Sequence, residues 1–173
     1  MSYMRSSWIG SKWLASLLLG AFLASGCGYY SFTGASAGHL QSIAIPSVEN
    51  QTAEFGLAES ITDNLLETFT NDGTLKVRDI RTADSILYVT IASINERPAA
   101  YNADETVDQY QITVSVRVRF EDRVKGKVAW EETISQFGLY PYTGGSSGDR
   151  DAGLEEAAEK IVEDILSKTV SGW

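Results

Sequence analysis

The chain has 173 residues, a formal net charge of −9 at pH 7, 43% hydrophobic residues, one cysteine and one histidine. A lone cysteine cannot build an intramolecular disulfide framework, and with a single histidine no structural zinc site can be assembled from the usual ligands. The acidic balance and the lack of a basic stripe argue against nucleic acid as a partner, because phosphate binding needs such a stripe.

In chain order, Met1 to Lys12 carries Arg5 and Lys12 and no acid, and Trp13 to Ala24 is an apolar run broken only by Ser16 and Gly20. A positive segment followed by an apolar one is the layout of a secretory signal. As a helix that run reaches roughly 18 Å, short of the ~30 Å hydrocarbon core, which suits threading and cleavage better than a retained span. Small residues, Ala24, Ser25 and Gly26, then leave room for a peptidase before Cys27. A lone thiol can be a buried small hydrophobe, an intermolecular bridge, a nucleophile or a modification site. The stretch LASGC, Leu23 to Cys27, resembles the bacterial lipoprotein signal, with Ala24 standing where such signals prefer Leu. The resemblance implies that Cys27 is acylated on sulfur and becomes the new N-terminus. Covalent acyl chains on Cys27 are the only non-protein group expected, and two or three of them hold a protein stably where one holds it marginally. Gly28, rather than Asp, follows Cys27, as the sorting rule of enteric lipoproteins asks for export to the outer membrane.

With residues 1–26 read as signal peptide, 147 residues remain, enough for one domain with a hydrophobic core. Their charge is −11, since the signal holds two cations. Residues 27–38 read as a flexible tether whose Tyr29, Tyr30 and Phe32 suit the headgroup region. The domain, residues 39–173, opens with a short strand at His39 to Pro46. Leu57, Ile61, Leu65, Leu66 and Phe69 recur at helical spacing from about Gly56 to Thr70, and Asn71-Asp72-Gly73 stops them. Leu75 and Val77 make a brief extended piece. The run SILYVTIASI, Ser85 to Ile94, has apolar residues on both parities, which predicts a strand covered on both faces.

Gln111 to Glu121 alternates strictly: Ile112, Val114, Val116, Val118 and Phe120 against Gln111, Thr113, Ser115, Arg117 and Arg119. A hairpin to Val128, Trp130 and Ile134 follows. Matching core faces puts Phe120 opposite Trp130 and Arg119 opposite Glu131, through a three-residue loop, Val124-Lys125-Gly126, with Gly126 left-handed. Residues 138–150 read as a glycine-serine loop. A last helix, capped by Asp149 or Asp151, carries Leu154, Ala157, Ala158, Ile161, Ile165 and Leu166 on its apolar face. The order β-α-β-β-β-β-α predicts an α+β fold, two helices on one face of a largely antiparallel four- to five-stranded sheet.

No catalytic grouping is visible, so a non-enzymatic role is expected. His39 stands alone, and the glycine run 144–148 lacks the Lys-Ser/Thr of a phosphate-binding loop. Arg117 and Arg119 on the wet strand face, with Lys125 and Lys127 at the turn, either pair with Glu131 and its neighbours or meet phosphate or carboxylate groups.

The stretches CGYYSF (Cys27 to Phe32) and IAIPSVENQT (Ile43 to Thr52), with the terminal TVSGW (Thr169 to Trp173), resemble in order and spacing the LptE family of lipopolysaccharide-assembly lipoproteins. That resemblance implies a periplasm-facing, lipid-anchored outer-membrane protein seated inside an LptD-like β-barrel and assisting lipopolysaccharide insertion. IAIPSVENQT, a helix, then TLKVRD (Thr74 to Asp79) is also similar to the opening of CsgG-like and LpoB-like lipoproteins. Those imply a secretion-pore subunit or an activator of a peptidoglycan synthase. A pore subunit needs a hairpin with an apolar lipid side, which Gln111 to Phe137 lacks.

Overall fold

The computed structural model describes residues 39–142 and 147–171. The expected signal peptide, Cys27 and the tether lie outside the described residues. The elements are β1 (Ser42–Ala44), β2 (Glu49–Asn50), α1 (Leu57–Asp72), β3 (Lys76–Val77), β4 (Ser85–Tyr101), β5 (Val107–Asp122), β6 (Lys127–Pro141) and α2 (Ser147–Ser171). The sheet runs β3-β1-β4-β5-β6, with β2 pairing β4 beyond the end of β1. The fold is α+β, with both helices and one sheet face sharing a single core cluster.

The sheet has six strands rather than four or five, and it is mixed. β1 is parallel to β3 and to β4, and β2 is parallel to β4, whereas β4-β5 and β5-β6 are antiparallel. A helix between adjacent strands returns the chain to its starting end, so β1 and β3, joined by α1, must point the same way. β2 and β3 have two residues each, too few to show a period.

α1 forms where its spacing predicts. Leu57, Ile61, Leu65 and Phe69 are buried along one stripe, and the helix stops as Gly73, at φ 70, donates its N–H to the Phe69 carbonyl at 3.2 Å. Such a left-handed residue is the common helix terminator, and glycine adopts it without steric cost.

β4 is not covered on both faces. Leu87, Val89 and Ile91 face the core, Ile86 joins a small separate cluster with Ala44 and Ala83, and Tyr88 is exposed. A bulge between Ile91 and Ser93 then shifts the side-chain parity, so that Ile94 pairs Val114 and packs on the same core as Ile91. Two-parity hydrophobicity is the signature of a bulge here, because one extra residue swaps the faces of all that follow. β4 and β5 also run past the apolar segment, Glu96 pairing Ile112 and Tyr101 pairing Val107, so the hairpin extends as a polar arm.

β5 alternates as its sequence dictates: Ile112, Val114, Val116, Val118 and Phe120 are fully buried. Phe120 lies opposite Trp130 and Arg119 opposite Glu131, with Gly126 left-handed at φ 63. The loop has four residues, not three: the last pair is Asp122 with Lys127, and a register shift after Phe120 absorbs the extra residue. A bulge and an even loop give the same parity as an odd loop without one.

Residues 138–141 are the end of β6, not loop, with Gly138 opposite Ile112 and Tyr140 opposite Tyr110. A β-carbon on Gly138 would stand 2.0 Å from the Gly153 carbonyl oxygen of α2. Glycine permits that backbone approach. It lets α2 reach the free edge of β6, where the Glu156 carboxylate accepts the Leu139 N–H at 3.0 Å and the Lys160 ammonium donates to the Phe137 carbonyl at 3.0 Å. Backbone groups satisfied in this way close that stretch of the edge to strand addition.

Gly138→Ala is therefore expected to cost roughly 3 kcal/mol or more by forcing α2 off β6. Gly126→Ala, strained only by its positive φ, should cost about 1 kcal/mol. Urea titrations of both variants check this, and equal costs would contradict the close approach.

Candidate functional site

The open face of the sheet, opposite the helices, is polar. The Ser115 and Ser135 hydroxyls bond across β5 and β6 at 2.8 Å. Arg117 lies between Thr90 and Thr133 in register, is exposed, and has no ion pair among the described residues. Arg119 differs: its Nη2 is 2.6 Å from Glu121 Oε1 and its Nε 3.9 Å from Glu131 Oε2. Arg119 is thus paired with acids on this face, and Arg117 is not, among the described residues. Both line an open depression of about 420 Å³ with Tyr88, Thr90 and Glu49. Arg119 and Lys127 line the next hollow along the sheet, while Lys125 stands exposed at the tip of the β5-β6 turn.

Two polar clusters escape sequence reasoning. At the turn end, Asp122 is 2% exposed. Its Oδ2 bonds His39 Nε2 at 2.7 Å, and its Oδ1 accepts the Lys125 N–H at 2.8 Å. Burial works to raise the Asp122 carboxyl, but the Lys125 N–H, the His39 bond and the nearby Lys125 charge outweigh it and hold the pKa below the usual value. Beside it, Asp84 accepts the Ser42 hydroxyl at 2.8 Å and the Gln41 N–H at 3.1 Å, and these bonds lower its pKa. His39 is thus part of the fastening that holds residues 39–42 against the sheet.

At the opposite end, Arg150 on α2 grips Glu54 bidentately, Nη1 to Oε1 at 3.0 Å and Nη2 to Oε2 at 2.8 Å, and donates from Nε to Glu96 Oε2 at 3.1 Å. The Tyr140 hydroxyl completes the set at 2.5 Å from Glu96 Oε1. The Arg150 bond lowers the Glu54 pKa, the two carboxylates raise that of Arg150, and burial followed by the Glu96 bond pushes Tyr140 up to about 12. Tyr110 stacks on Tyr140 at 5.7 Å between centroids and meets Tyr142 edge-on at 5.6 Å. No spacing rule links Glu54, Glu96 and Arg150. Only the start of α2, reaching both the loop before α1 and strand β4, brings them together.

Among the described residues no group of three metal-ligating side chains converges, and no helix is long and apolar enough to cross a membrane. What the geometry defines is a two-layer α+β domain with helices on one sheet face, a polar open face on the other and distinct charged ends. The family model for LptE, lipopolysaccharide-assembly, matches residues 40–169, and the chain belongs to that family. The LptE family is one of non-enzymatic lipoproteins of the cell envelope. A search of the curated proteins finds no match. Among solved structures, the chain is similar to the rare lipoprotein B from Shewanella oneidensis, at 16% identity over 75% of this chain and 95% of that one, TM-score 0.51. It is also similar to a minor lipoprotein from Acinetobacter baumannii, at 11% identity, 78% and 95% coverage, TM-score 0.53. A PelC dodecamer from Paraburkholderia phytofirmans shares the fold at 19% identity, 73% and 86% coverage, TM-score 0.51.

Arg150→Met should cost about 1 to 2 kcal/mol at neutral pH, discounted for the partial exposure of the cluster. Glu54 is depressed below 4.5, so its pairing stabilises the fold above that pH and is lost as pH falls through the folded value. The Tyr140 contribution runs the other way and is lost as pH rises from 10.0 to about 12. Denaturant midpoints across pH should therefore fall less steeply on acidification in Arg150→Met than in the native protein. A parallel curve would contradict the pairing.

Proposed function

We propose that the domain is the plug and assembly factor of an LptD-like outer-membrane β-barrel, held at the periplasmic side by acyl chains on Cys27, and that it assists lipopolysaccharide insertion. The observation that carries this reading is the open sheet face. A barrel lumen is itself polar, so a plug must present a rigid surface of hydrogen-bonding groups rather than an apolar one. Thr90, Ser115, Arg117, Thr133 and Ser135 supply such a surface from three long paired strands. Membership of the LptE family supports the same partner. Arg117, unpaired on this face, is the residue best placed to meet a lipopolysaccharide phosphate; Arg119, Lys125 and Lys127 extend the cationic line toward the turn.

Depletion of the protein is expected to lower correctly folded barrel and surface lipopolysaccharide together. If both stay normal while cell-wall synthesis falters, the peptidoglycan-synthase activator reading replaces this one. Arg117→Ser with Arg119→Ser should leave barrel assembly intact and reduce lipopolysaccharide export; unchanged export would show these arginines to be solvated only. Mass spectrometry of detergent-extracted protein should find Cys27 acylated, and a free thiol would overturn the anchor.

A further inference from the structure

The charge of this chain is sharply divided. Residues 71–84 and 119–128 form the loop end of the sheet, where α1 hands over to β3, β3 leads to β4, and β5 turns into β6. They hold seven cations against five acids, a net +2, while the rest of the mature chain holds five cations against eighteen acids, a net −13. The acids at this end are largely spent internally. Asp122 is bound to His39, Asp84 to Ser42 and Gln41, Asp79 to Arg81, and Glu121 to Arg119. Lys76, Arg78, Lys125 and Lys127 are exposed with no ion pair among the described residues.

Apolar side chains stand among these cations. Ile80 in the β3-β4 loop is 42% exposed and Val124 at the tip of the β5-β6 turn is 60% exposed. The two loops are fastened to each other. Arg123 donates from Nη1 to the Ile80 carbonyl and, at 3.5 Å, to the Ala83 carbonyl, and its backbone N–H bonds the Asp84 carbonyl at 2.9 Å. The aliphatic tips are therefore held in place rather than splayed. His39, the first described residue, is bound to Asp122 at this same end, so whatever precedes it in the chain joins the domain here.

We propose that this loop end docks on an anionic phospholipid surface, with the free lysines and Arg78 over the headgroup phosphates and Ile80 and Val124 dipping into the interface. A cation near such a surface strengthens binding about fivefold, and exposed aliphatic tips add burial. The acids of the far arm lie well away from it: β4, with 17 residues at about 3.3 Å each, reaches roughly 56 Å, several times the ~8 Å over which charge is felt at physiological salt. The lipid-anchor reading supplies the cellular setting only; the interaction itself requires no acyl chain.

The test uses the chain lacking residues 1–27, since every member of the core cluster lies between Leu40 and Ile165. Sedimentation with phosphatidylcholine vesicles, with and without phosphatidylglycerol, should show binding to the anionic vesicles alone, weakening as salt rises. Lys125→Ser with Lys127→Ser should lower that binding about 25-fold, and Val124→Ser should lower it further. Arg97→Ser, on the far arm, should leave it unchanged, and circular dichroism would establish that the variants are folded. Equal binding to neutral vesicles, no binding to either, or indifference to the two lysines would overturn the proposal. So would binding to neutral vesicles carrying lipopolysaccharide but not to those carrying phosphatidylglycerol. Because acyl chains are absent from this assay, a failed anchor and a failed docking surface give different results.

Discussion

The structure depends on the two-residue period of β5. Its even-numbered residues from Ile112 to Phe120 are sealed against both helices, and its odd-numbered residues face outward. A slip of one residue would carry five large aliphatic and aromatic side chains to water and bring Arg117 and Arg119 into the core. Burial of each apolar side chain favours the native register by about 1.5 to 3 kcal/mol, so the register is strongly specified. Both neighbours are fitted to this strand. β4 bulges at Ala92 to keep Ile94 on the core side, and β6 bulges near its start to bring Trp130 against Phe120 at 6.2 Å between ring centroids.

A consequence of that fit is that α2 covers the Phe137–Leu139 stretch of the sheet's β6 edge. α2 comes close enough at Gly138 and Gly153 to satisfy the Leu139 N–H and the Phe137 carbonyl with its own Glu156 and Lys160. Glu156 in turn is lowered in pKa first by its Lys160 bond and then by the Leu139 N–H, which keeps its carboxylate ionised as an acceptor. Three further surfaces differ in chemistry. The open face is hydroxyl-rich with one free arginine, the turn end is basic, and the arm end carries tyrosines and the Arg150 cluster.

How much of this the sequence discloses varies by element and for physical reasons. α1, the β5 alternation and the pairing of Phe120 with Trp130 are readable because each rests on a local period or a parity rule. The same parity rule mistakes the turn: it counts faces, and a four-residue loop plus a bulge counts the same as three residues without one. In β4 the bulge at Ala92 disguises a one-sided strand as a two-sided one, and in β6 Gly138 mimics loop composition although it is placed for close contact with a helix. The polar arm, Glu96 to Tyr101 with Val107 to Tyr110, carries no hydrophobic signal because its strands pair beyond the core. Of the four cations singled out, composition alone could not separate Arg117 from Arg119. Glu121, two residues along the same strand face, claims one of them. The buried Asp122 and the Arg150 cluster depend on contacts between residues 44 to 96 positions apart, and no spacing foretells those.

The central claim is that the open face of the sheet meets a β-barrel. A photoreactive residue at Ser115, in the middle of that face, would report its neighbour directly when irradiated in intact envelopes. The account predicts one dominant adduct with a large, heat-modifiable outer-membrane barrel, absent when the photoreactive residue is moved to Glu59 on the helical side. An adduct with a second copy of this chain, or with a peptidoglycan synthase, would contradict it.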